Sequence, residues 1–187
     1  MQKTKLIASV IASTVILSTF TTFSGIAQTQ RPQRPVSLLR AKCVNSGLGS
    51  AREQNLAVSI GRAVYTSQFY LGPGYRSAGL TCKIKPDNRP EPVFQTLNLG
   101  FGMRDNDKKS PGVEVRIYLD GKQVENRSVA PAQQASLALD VSNVSNVAIE
   151  AVCASQTRYC DRVYFFTAAL EQPNVSPQPG VPPQTKN

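Results

Sequence analysis

The chain has 187 residues, contains no histidine and no tryptophan, and carries a formal net charge of +9. The missing histidine removes the usual general base, the usual partner of a nucleophilic serine or cysteine, and the commonest zinc ligand. The sequence therefore predicts a protein that is not an enzyme and that uses no metal and no other cofactor.

The first 27 residues have the pattern of a secretory signal peptide. Lys3 and Lys5 precede an uncharged, largely apolar stretch over residues 6–23, and small residues lead up to Ala27. This arrangement predicts cleavage after Ala27. A retained membrane anchor is the alternative, but repeated serine and threonine interrupt the apolar run that an anchor needs. We expect a secreted or periplasmic protein with no stable membrane anchor after cleavage.

Two polar, proline-containing segments flank the region that is expected to fold. Residues 28–36 include Arg-Pro-Gln-Arg-Pro, and residues 171–187 hold five prolines among polar side chains. Such compositions bury too little apolar surface to pack. We therefore expect a flexible N-terminal segment over 28–36, one domain over 37–170, and a disordered tail over 171–187.

All four cysteines lie in the predicted domain. An even number of cysteines in an exported chain predicts two disulfides, for which three pairings exist. Cys153 and Cys160 lie close together between two strand-like runs, which favours their pairing and leaves Cys43 with Cys82. A zinc site is the alternative, but the sequence has neither a Cys-x-x-Cys pair nor a histidine to complete one.

The positive charge is concentrated in the first third of the mature chain. Residues 31–89 contain ten Lys and Arg against two acidic residues, whereas residues 90–187 contain nine against ten. This asymmetry favours an anionic partner, such as an acidic polysaccharide or another envelope polymer, and a generally soluble basic surface is the alternative. Nucleic acid is not an expected partner, since no recognised binding motif is present. The residues expected on a shared basic face are Arg62, Arg76, Lys83 and Lys85.

Alternating apolar and polar residues predict a series of short β-strands. Val113–Leu119 alternates and is followed by Asp120-Gly121, a strong hairpin signal, and by a return strand over Lys122–Val129. Further strands are predicted over residues 56–60, 63–71, 80–84, 93–101, 137–141, 147–153 and 163–170. A short turn over residues 50–54 is the only exception to the all-β pattern. The whole predicts an antiparallel β-sandwich or jelly roll.

The stretch Leu99-Gly-Phe-Gly-Met-Arg-Asp-Asn-Asp107, followed by the strand that closes on Asp120-Gly-Lys122, resembles the core of the NPCBM family. That family consists of carbohydrate-binding modules found beside glycoside hydrolase domains. The likeness covers about residues 75–170 and includes Leu139-Asp-Val-Ser-Asn-Val144. It implies a galactose-binding-like jelly roll that binds carbohydrate. The family's closing Asp-His-Ala-Asp-Trp-like sequence is replaced here by Asp161-Arg-Val-Tyr-Phe165.

Sugar binding normally needs a flat aromatic face together with polar groups for the hydroxyls. Tyr75 and Tyr159 lie in predicted loops beside arginines, so they are candidate ligand-binding residues. Arg76, Arg158 and Arg162 are candidates for bidentate contact with an anionic sugar. The alternatives are tyrosines that pack the mouth of the sandwich and arginines that are merely solvated. The sequence thus predicts a carbohydrate-binding protein or, alternatively, a structural or protein-interaction sandwich without a sugar site.

Asp105-Asn106-Asp107 presents alternate oxygen ligands of a kind that suits Ca²⁺. The segment lacks the spaced ligands and the bidentate glutamate of an EF-hand. A solvent-exposed loop is therefore the interpretation that the sequence favours.

Overall fold

Eleven strands form two antiparallel sheets in the computed structural model, which describes residues 34–88 and 93–173. One sheet, sheet A, has the order β3-β4-β11-β6-β9, with β1 paired to β11; the other, sheet B, has the order β2-β5-β10-β7-β8. The predicted antiparallel β-sandwich is confirmed. The strands are β1 Val36–Ser37, β2 Lys42–Gly47, β3 Ser50–Ile60, β4 Ala63–Gly72, β5 Ser77–Lys83, β6 Thr96–Gly102, β7 Val113–Leu119, β8 Lys122–Val129, β9 Gln134–Asp140, β10 Asn146–Cys153 and β11 Val163–Glu171.

The core lies between the two sheets and is built from alternate side chains of each strand. In β7, Val113, Val115 and Ile117 are fully buried, and Ile117 faces Ile149 of β10 in the ladder. Phe165 of sheet A stacks on Phe69 with ring centroids 4.4 Å apart. Each such side chain contributes about 1.5–3 kcal/mol when fully buried, which is why the period-two pattern fixes the inward faces.

Three elements differ from the sequence-based expectation. The predicted short turn over residues 50–54 is wrong, because these residues form the start of β3, where Arg52 pairs with Tyr70 of β4. The helical residues of the described chain instead form a short 3₁₀ turn over Leu38–Arg40, whose N-cap is Ser37. Strand β2 is also absent from the prediction, because its largely exposed edge sequence does not alternate.

The described strands begin at Val36 and end at Glu171, one residue beyond the predicted domain on each side. The predicted signal peptide, most of the predicted flexible segment over 28–36 and most of the predicted tail over 171–187 lie outside the described residues. Within the part of the chain that the structure describes, no helix has the length and apolar character to cross a membrane.

Both predicted disulfides are confirmed. Cys43 and Cys82 are cross-strand partners in the β2–β5 ladder, with their Cα atoms 4.0 Å apart. Cys153 ends β10 and pairs with Cys160, so that it closes the loop that leads to β11.

The distal half of the β3–β4 hairpin folds over the outer face of sheet A. After a register shift between Glu53 and Leu56, Val58 and Ile60 pack with Tyr70 and Tyr164 into a second apolar cluster. Tyr65 of the hairpin stacks on Phe166 of β11 at 4.2 Å. The sandwich therefore carries a third, partial layer on one side, which we call the flap (residues 56–67).

The five loops β2–β3, β4–β5, β6–β7, β8–β9 and β10–β11 lie at one end of the sandwich, which we call the upper end. The start of β2, the end of β5 and the start of β10 lie at the other, the lower end. Strand β5 runs between the two ends over seven residues, or about 20 Å. Groups at the two ends are therefore separated by about the length of this strand.

Candidate functional site

Two of the predicted site residues, Tyr75 and Tyr159, meet at the upper end. The backbone N–H of Cys160 donates a hydrogen bond to the carbonyl of Gly74 at 2.8 Å, which forms an isolated β-bridge between two loops. Tyr75 and Tyr159 flank this bridge, and their rings meet edge to face with centroids 5.5 Å apart and an interplanar angle of 82°. Loop pairing, not strand pairing, thus brings the two rings together.

Local bonds hold both loops in place. The β4–β5 loop closes a turn through the N–H of Arg76, which donates to the carbonyl of Pro73 at 3.0 Å. The N–H of Cys153 then donates to the carbonyl of Arg76 at 2.9 Å, and the Cys153–Cys160 disulfide returns the chain to the bridge. The tyrosines therefore project from a covalently closed, hydrogen-bonded frame, which lowers the entropy that a ligand must remove on binding.

The tyrosines form one wall of an open cleft of about 610 Å³. Tyr75 is 60% exposed and Tyr159 is 55% exposed, and Leu48, on the opposite loop, is 76% exposed. Exposed apolar side chains gathered in one concavity typically mark a binding surface. The lining residues are Leu48, Gly49, Ser50, Gly72, Pro73, Gly74, Tyr75, Arg76 and Tyr159.

The cleft needs glycine at its floor. A Cβ atom on Gly49 would lie 2.3 Å from the carbonyl oxygen of Gly72, so only glycine allows the β2–β3 turn to approach β4 this closely. Gly74 has a φ of +63°, which puts its backbone in the left-handed region that glycine occupies most readily. These two positions shape the space in front of the tyrosines.

Of the three predicted arginines, only Arg76 lines the cleft. Arg158 is directed elsewhere, since its guanidinium donates to the carbonyl of Lys109 at 3.4 Å. Arg162 lies on the outer face of sheet A, where its guanidinium carbon is 4.2 Å from the ring centroid of Tyr70. The structure therefore brings together Tyr75, Arg76 and Tyr159 and leaves the other two arginines outside the cleft.

The residues that sequence reasoning missed are those of the β2–β3 turn: Leu48, Gly49 and Ser50. In the sequence, the Gly-Leu-Gly-Ser stretch over residues 47–50 indicates a turn. This composition does not reveal which other loop the turn lies against. The N–H of Gly49 donates to the carbonyl of Ser77 at 2.8 Å, and this bond anchors the turn beside the β4–β5 loop.

The possible calcium ligands Asp105 and Asp107 are used within the fold. The Asp105 carboxylate accepts hydrogen bonds from the flap tip, and Asp107 pairs with Arg104 at 2.9 Å while almost fully buried. Within residues 34–88 and 93–173, no group of three or more metal-ligating side chains occurs. The exposed-loop interpretation is only partly right, because Asn106 is exposed whereas Asp107 is buried.

Asp161 follows the disulfide and supports the frame of the cleft from behind. Its N–H donates to Ser110 Oγ at 2.8 Å, which ties the β10–β11 loop to the β6–β7 loop. Burial raises the pKa of the Asp161 carboxyl, the nearby charge of Asp107 raises this pKa further, and Arg104 and Arg162 partly oppose the rise. Asp161 is not among the residues lining the cleft.

The four residues expected on one basic face are divided between the two ends. Arg76 precedes β5 and lies at the upper end, whereas Lys83 ends β5 and lies with Lys85 at the lower end. Arg62 is at the tip of the flap, next to Asp105. The four residues therefore do not form one cluster, because the length of β5 separates Arg76 from Lys83 and Lys85.

Several solved structures share this fold. A CBM51 module with INT domains of ZmpB from Clostridium perfringens superposes with a TM-score of 0.60 at 15% identity; the match covers 75% of this chain and 32% of that one. A CBM51 module from Clostridium perfringens GH95, in complex with methyl-galactose, gives a TM-score of 0.58 at 10% identity, with 73% and 99% covered. Tandem CBM51 modules of a Streptococcus pneumoniae family 98 glycoside hydrolase give 0.51 at 13%, with 75% and 50% covered.

No protein-family model matches the sequence, and no curated protein matches it. The chain spans about a third of the length of the ZmpB chain. At identities of 10–15% the structural matches establish a shared fold. The sandwich architecture implied by the sequence resemblance is therefore confirmed at the level of the fold of these modules.

Proposed function

We propose that this protein is a secreted, non-catalytic carbohydrate-binding protein whose ligand occupies the upper cleft. The observation that carries the proposal is the exposed Tyr75–Tyr159 pair, held edge to face in a cleft with Leu48 and Arg76. A sugar ring has an apolar face that packs on aromatic carbon, and hydroxyl groups that need hydrogen-bond partners. The cleft offers both kinds of surface within about 610 Å³.

The arrangement of the two rings suits one sugar residue at a time. Because the rings are nearly perpendicular, a pyranose that stacks on one ring meets the edge of the other, which limits its orientation. Arg76 provides a charged donor set at the same cleft, which favours a sugar with a carboxylate or sulfate group. Ser50 adds a hydroxyl group on the facing wall.

The structural comparisons support the proposal by analogy. The CBM51 module of GH95 was solved with methyl-galactose, and a CBM51 module of ZmpB was solved with GlcNAc. These sugars are bound by those proteins. They are the first two ligands to test here, because the fold is shared and both sugars are small enough for the cleft.

Secretion is part of the proposal and rests on the N-terminal sequence pattern together with the two disulfides, which persist in oxidising compartments. The alternative function is a structural or protein-interaction sandwich in the cell envelope. On that alternative, Tyr75 and Tyr159 would contact a protein surface and not a sugar.

The test is a glycan array followed by titration calorimetry with methyl-galactose, GlcNAc and galacturonic acid. We expect binding of at least one sugar, with a Kd of about 1 mM corresponding to about −4 kcal/mol for a single-residue site. The Tyr75→Ala and Tyr159→Ala variants should each lose at least tenfold in affinity. Val64→Ala, which truncates an exposed apolar side chain on the flap, is the control and should bind normally. An array without any bound glycan would favour the protein-interaction alternative.

A further inference from the structure

Four cationic side chains line one groove at the lower end, far from the tyrosine cleft. The groove has a volume of about 310 Å³. We call it the lysine groove and define it by Arg40, Lys42, Lys83 and Lys85. Three of the four side chains belong to exposed residues, and Lys85 is half-buried. Together they concentrate positive charge on a surface that the upper cleft does not share.

Lys42 and Lys83 are direct cross-strand partners in the β2–β5 ladder. Side chains at such positions have Cβ atoms about 4.5–5.5 Å apart, and like charges there destabilise the pair of strands. The arrangement therefore opposes the stability of the sheet edge. An anion placed between the two ammonium groups would reverse the sign of that interaction.

The neighbouring disulfide holds the two lysines in this arrangement. Cys43 and Cys82 are the next pair in the same ladder and are covalently joined. Cys82 is fully buried, so its side chain points into the core, and the flanking Lys42 and Lys83 point outward because strand side chains alternate. The strands cannot slip in register to separate the charges while this disulfide is intact.

The surroundings of the lysine groove suit a sugar polymer. Lys83 and Lys85 also line an adjoining polar cleft of about 550 Å³, whose other walls include Asn88, Ser145 and Asn146. These amide and hydroxyl groups are hydrogen-bonding partners for sugar hydroxyls. Phe94, half-buried, lines the lysine groove itself and offers aromatic carbon to a sugar ring.

Asp87 pairs with Lys83 but does not neutralise the groove. Hydrogen bonding and charge from Lys83 lower the pKa of the Asp87 carboxyl, and Lys42 lowers it further. The Asp87 side chain is 87% exposed, and such surface ion pairs are weak and readily exchanged. A carboxylate or phosphate group of a ligand can therefore replace the Asp87 carboxylate beside Lys83.

We propose that the lower end is a second ligand site, which binds an acidic polysaccharide through its carboxylate or phosphate groups. The acidic groups lie on the lysine groove, and the hydroxyls of neighbouring sugar residues occupy the adjoining polar cleft. This site goes beyond the proposed function, because it uses none of the residues of the upper cleft. Its affinity depends on the acidic groups of the polymer more than on which sugar carries them.

The test compares two variants that change the same charge. Lys42→Gln/Lys83→Gln/Lys85→Gln removes three positive charges and the exposed Lys83–Asp87 ion pair. The control, Lys108→Gln/Lys109→Gln/Arg127→Gln, also removes three and breaks the exposed Arg127–Glu125 ion pair. With oligogalacturonate at 0.1 M NaCl, the first variant should lose at least tenfold in affinity and the control less than twofold. An equal loss in both would show that net charge alone drives binding and would overturn the proposal.

Further probes separate the possible sources of the anion. Oligogalacturonate tests binding of carboxylate groups, inorganic polyphosphate tests binding of phosphate groups, and dextran is the neutral control. Binding of either acidic polymer, with no binding of dextran, supports the site. Binding only to phosphatidylglycerol vesicles would overturn it in favour of a membrane surface. Tyr75→Ala/Tyr159→Ala should keep full affinity for inorganic polyphosphate, which has no sugar ring to stack on these tyrosines. Loss in that variant would place the acid in the upper cleft and refute the second site, whatever the outcome for neutral sugars.

A measurement on the unmodified protein avoids any question of folding. Oligogalacturonate should slow acetylation of Lys42, Lys83 and Lys85 severalfold, read by peptide mass spectrometry. Lys108 and Lys109 serve as internal references, because they lie on the β6–β7 loop at the other end. Equal protection of all five lysines, or of none, would refute the site.

Discussion

The Asp105 carboxylate accepts a hydrogen bond from the backbone N–H of Gly61 at 2.7 Å, across 44 positions of sequence. The N–H of Arg62 and the hydroxyl of Ser59 donate to the same carboxylate, at 3.1 and 2.5 Å. One side chain of the β6–β7 loop thus fastens the tip of the flap. The flap covers Tyr164, which is fully buried, so this fastening protects the outer apolar cluster.

We predict that Asp105→Ala lowers the melting temperature at pH 7 by a few degrees. The hydrogen bonds from Ser59, Arg62 and Gly61 hold the pKa of the Asp105 carboxyl below its ordinary value. A lowered folded-state pKa stabilises the protein fully above the unfolded-state pKa, which is about 4, and the stabilisation is lost as the pH falls through the folded-state value. The difference in melting temperature between the wild type and the variant should therefore shrink below pH 4.

Asp140→Ala is the control for that measurement. The Asp140 carboxylate also accepts hydrogen bonds, but only from Ser142, two residues away. Its loss should leave the flap in place and change the melting temperature little. If both variants melted alike at pH 7, the carboxylate of Asp105 would have no special role in holding the flap.

Gly102→Ala should destabilise the protein by about 1–3 kcal/mol, as overpacked positions do. A Cβ atom there would lie 2.5 Å from the carbonyl oxygen of Gln133 and 2.9 Å from Ile60 of the flap. Gly112→Ala is the milder comparison, since its Cβ would come no closer than 3.3 Å to Val129. Urea denaturation measures both. A Gly102→Ala protein as stable as the wild type would mean that the flap does not press on sheet A.

Removal of each disulfide should affect the free energy of unfolding and the affinity for sugar to different extents. Loop-closure entropy predicts a loss of about 4 kcal/mol for Cys43→Ser/Cys82→Ser, whose separation is 39, and about 2.5 kcal/mol for Cys153→Ser/Cys160→Ser, whose separation is 7. Only the second variant frees the loop that carries Tyr159. We expect it to lose affinity for a sugar in the upper cleft while the less stable first variant, assayed where it is folded, retains it. The reverse order of affinities would contradict the described frame.

Arg76→Gln and Arg158→Gln form a matched pair of substitutions. Both arginines are exposed and were equally good candidates from sequence, but only Arg76 lines the cleft. With galacturonic acid as ligand, Arg76→Gln should weaken binding at least threefold and Arg158→Gln should have no effect. Calorimetry with methyl-galactose then checks charge dependence, since a neutral sugar should be bound similarly by both. A loss confined to Arg158→Gln would mean that the ligand lies outside the cleft.

Local patterns in the sequence predict much of the fold, because they report which face of a strand is buried. The alternation in Val113–Leu119 and the following Asp120-Gly121 turn give β7, β8 and their hairpin as observed. The short spacing of Cys153 and Cys160 favours their disulfide, and the remaining pair follows. Tyr75 and Tyr159 are recognisable as exposed loop aromatics, although their contact depends on a bridge between distant loops.

The features that escape prediction depend on long-range register. The apolar residues Val58 and Ile60 show that one side of the flap is covered, but the sequence does not reveal that this side folds back onto the outer face of sheet A. Nothing near Lys42 in the sequence indicates that Lys83 stands opposite it. Arg162 lies beside Asp161 in a loop-like stretch, yet it directly precedes β11 and its guanidinium lies over the ring of Tyr70 in β4.

The pairing of β1 with β11 places Val36 opposite Leu170, so the polypeptide enters and leaves the sandwich side by side. Both residues line the lysine groove, at the end opposite the tyrosines. A circular permutant that joins these two points by a short linker and opens the β7–β8 turn should fold. For the same reason, a protein attached to a surface at Val36 or at Leu170 keeps the tyrosine cleft at the end that faces away from the surface.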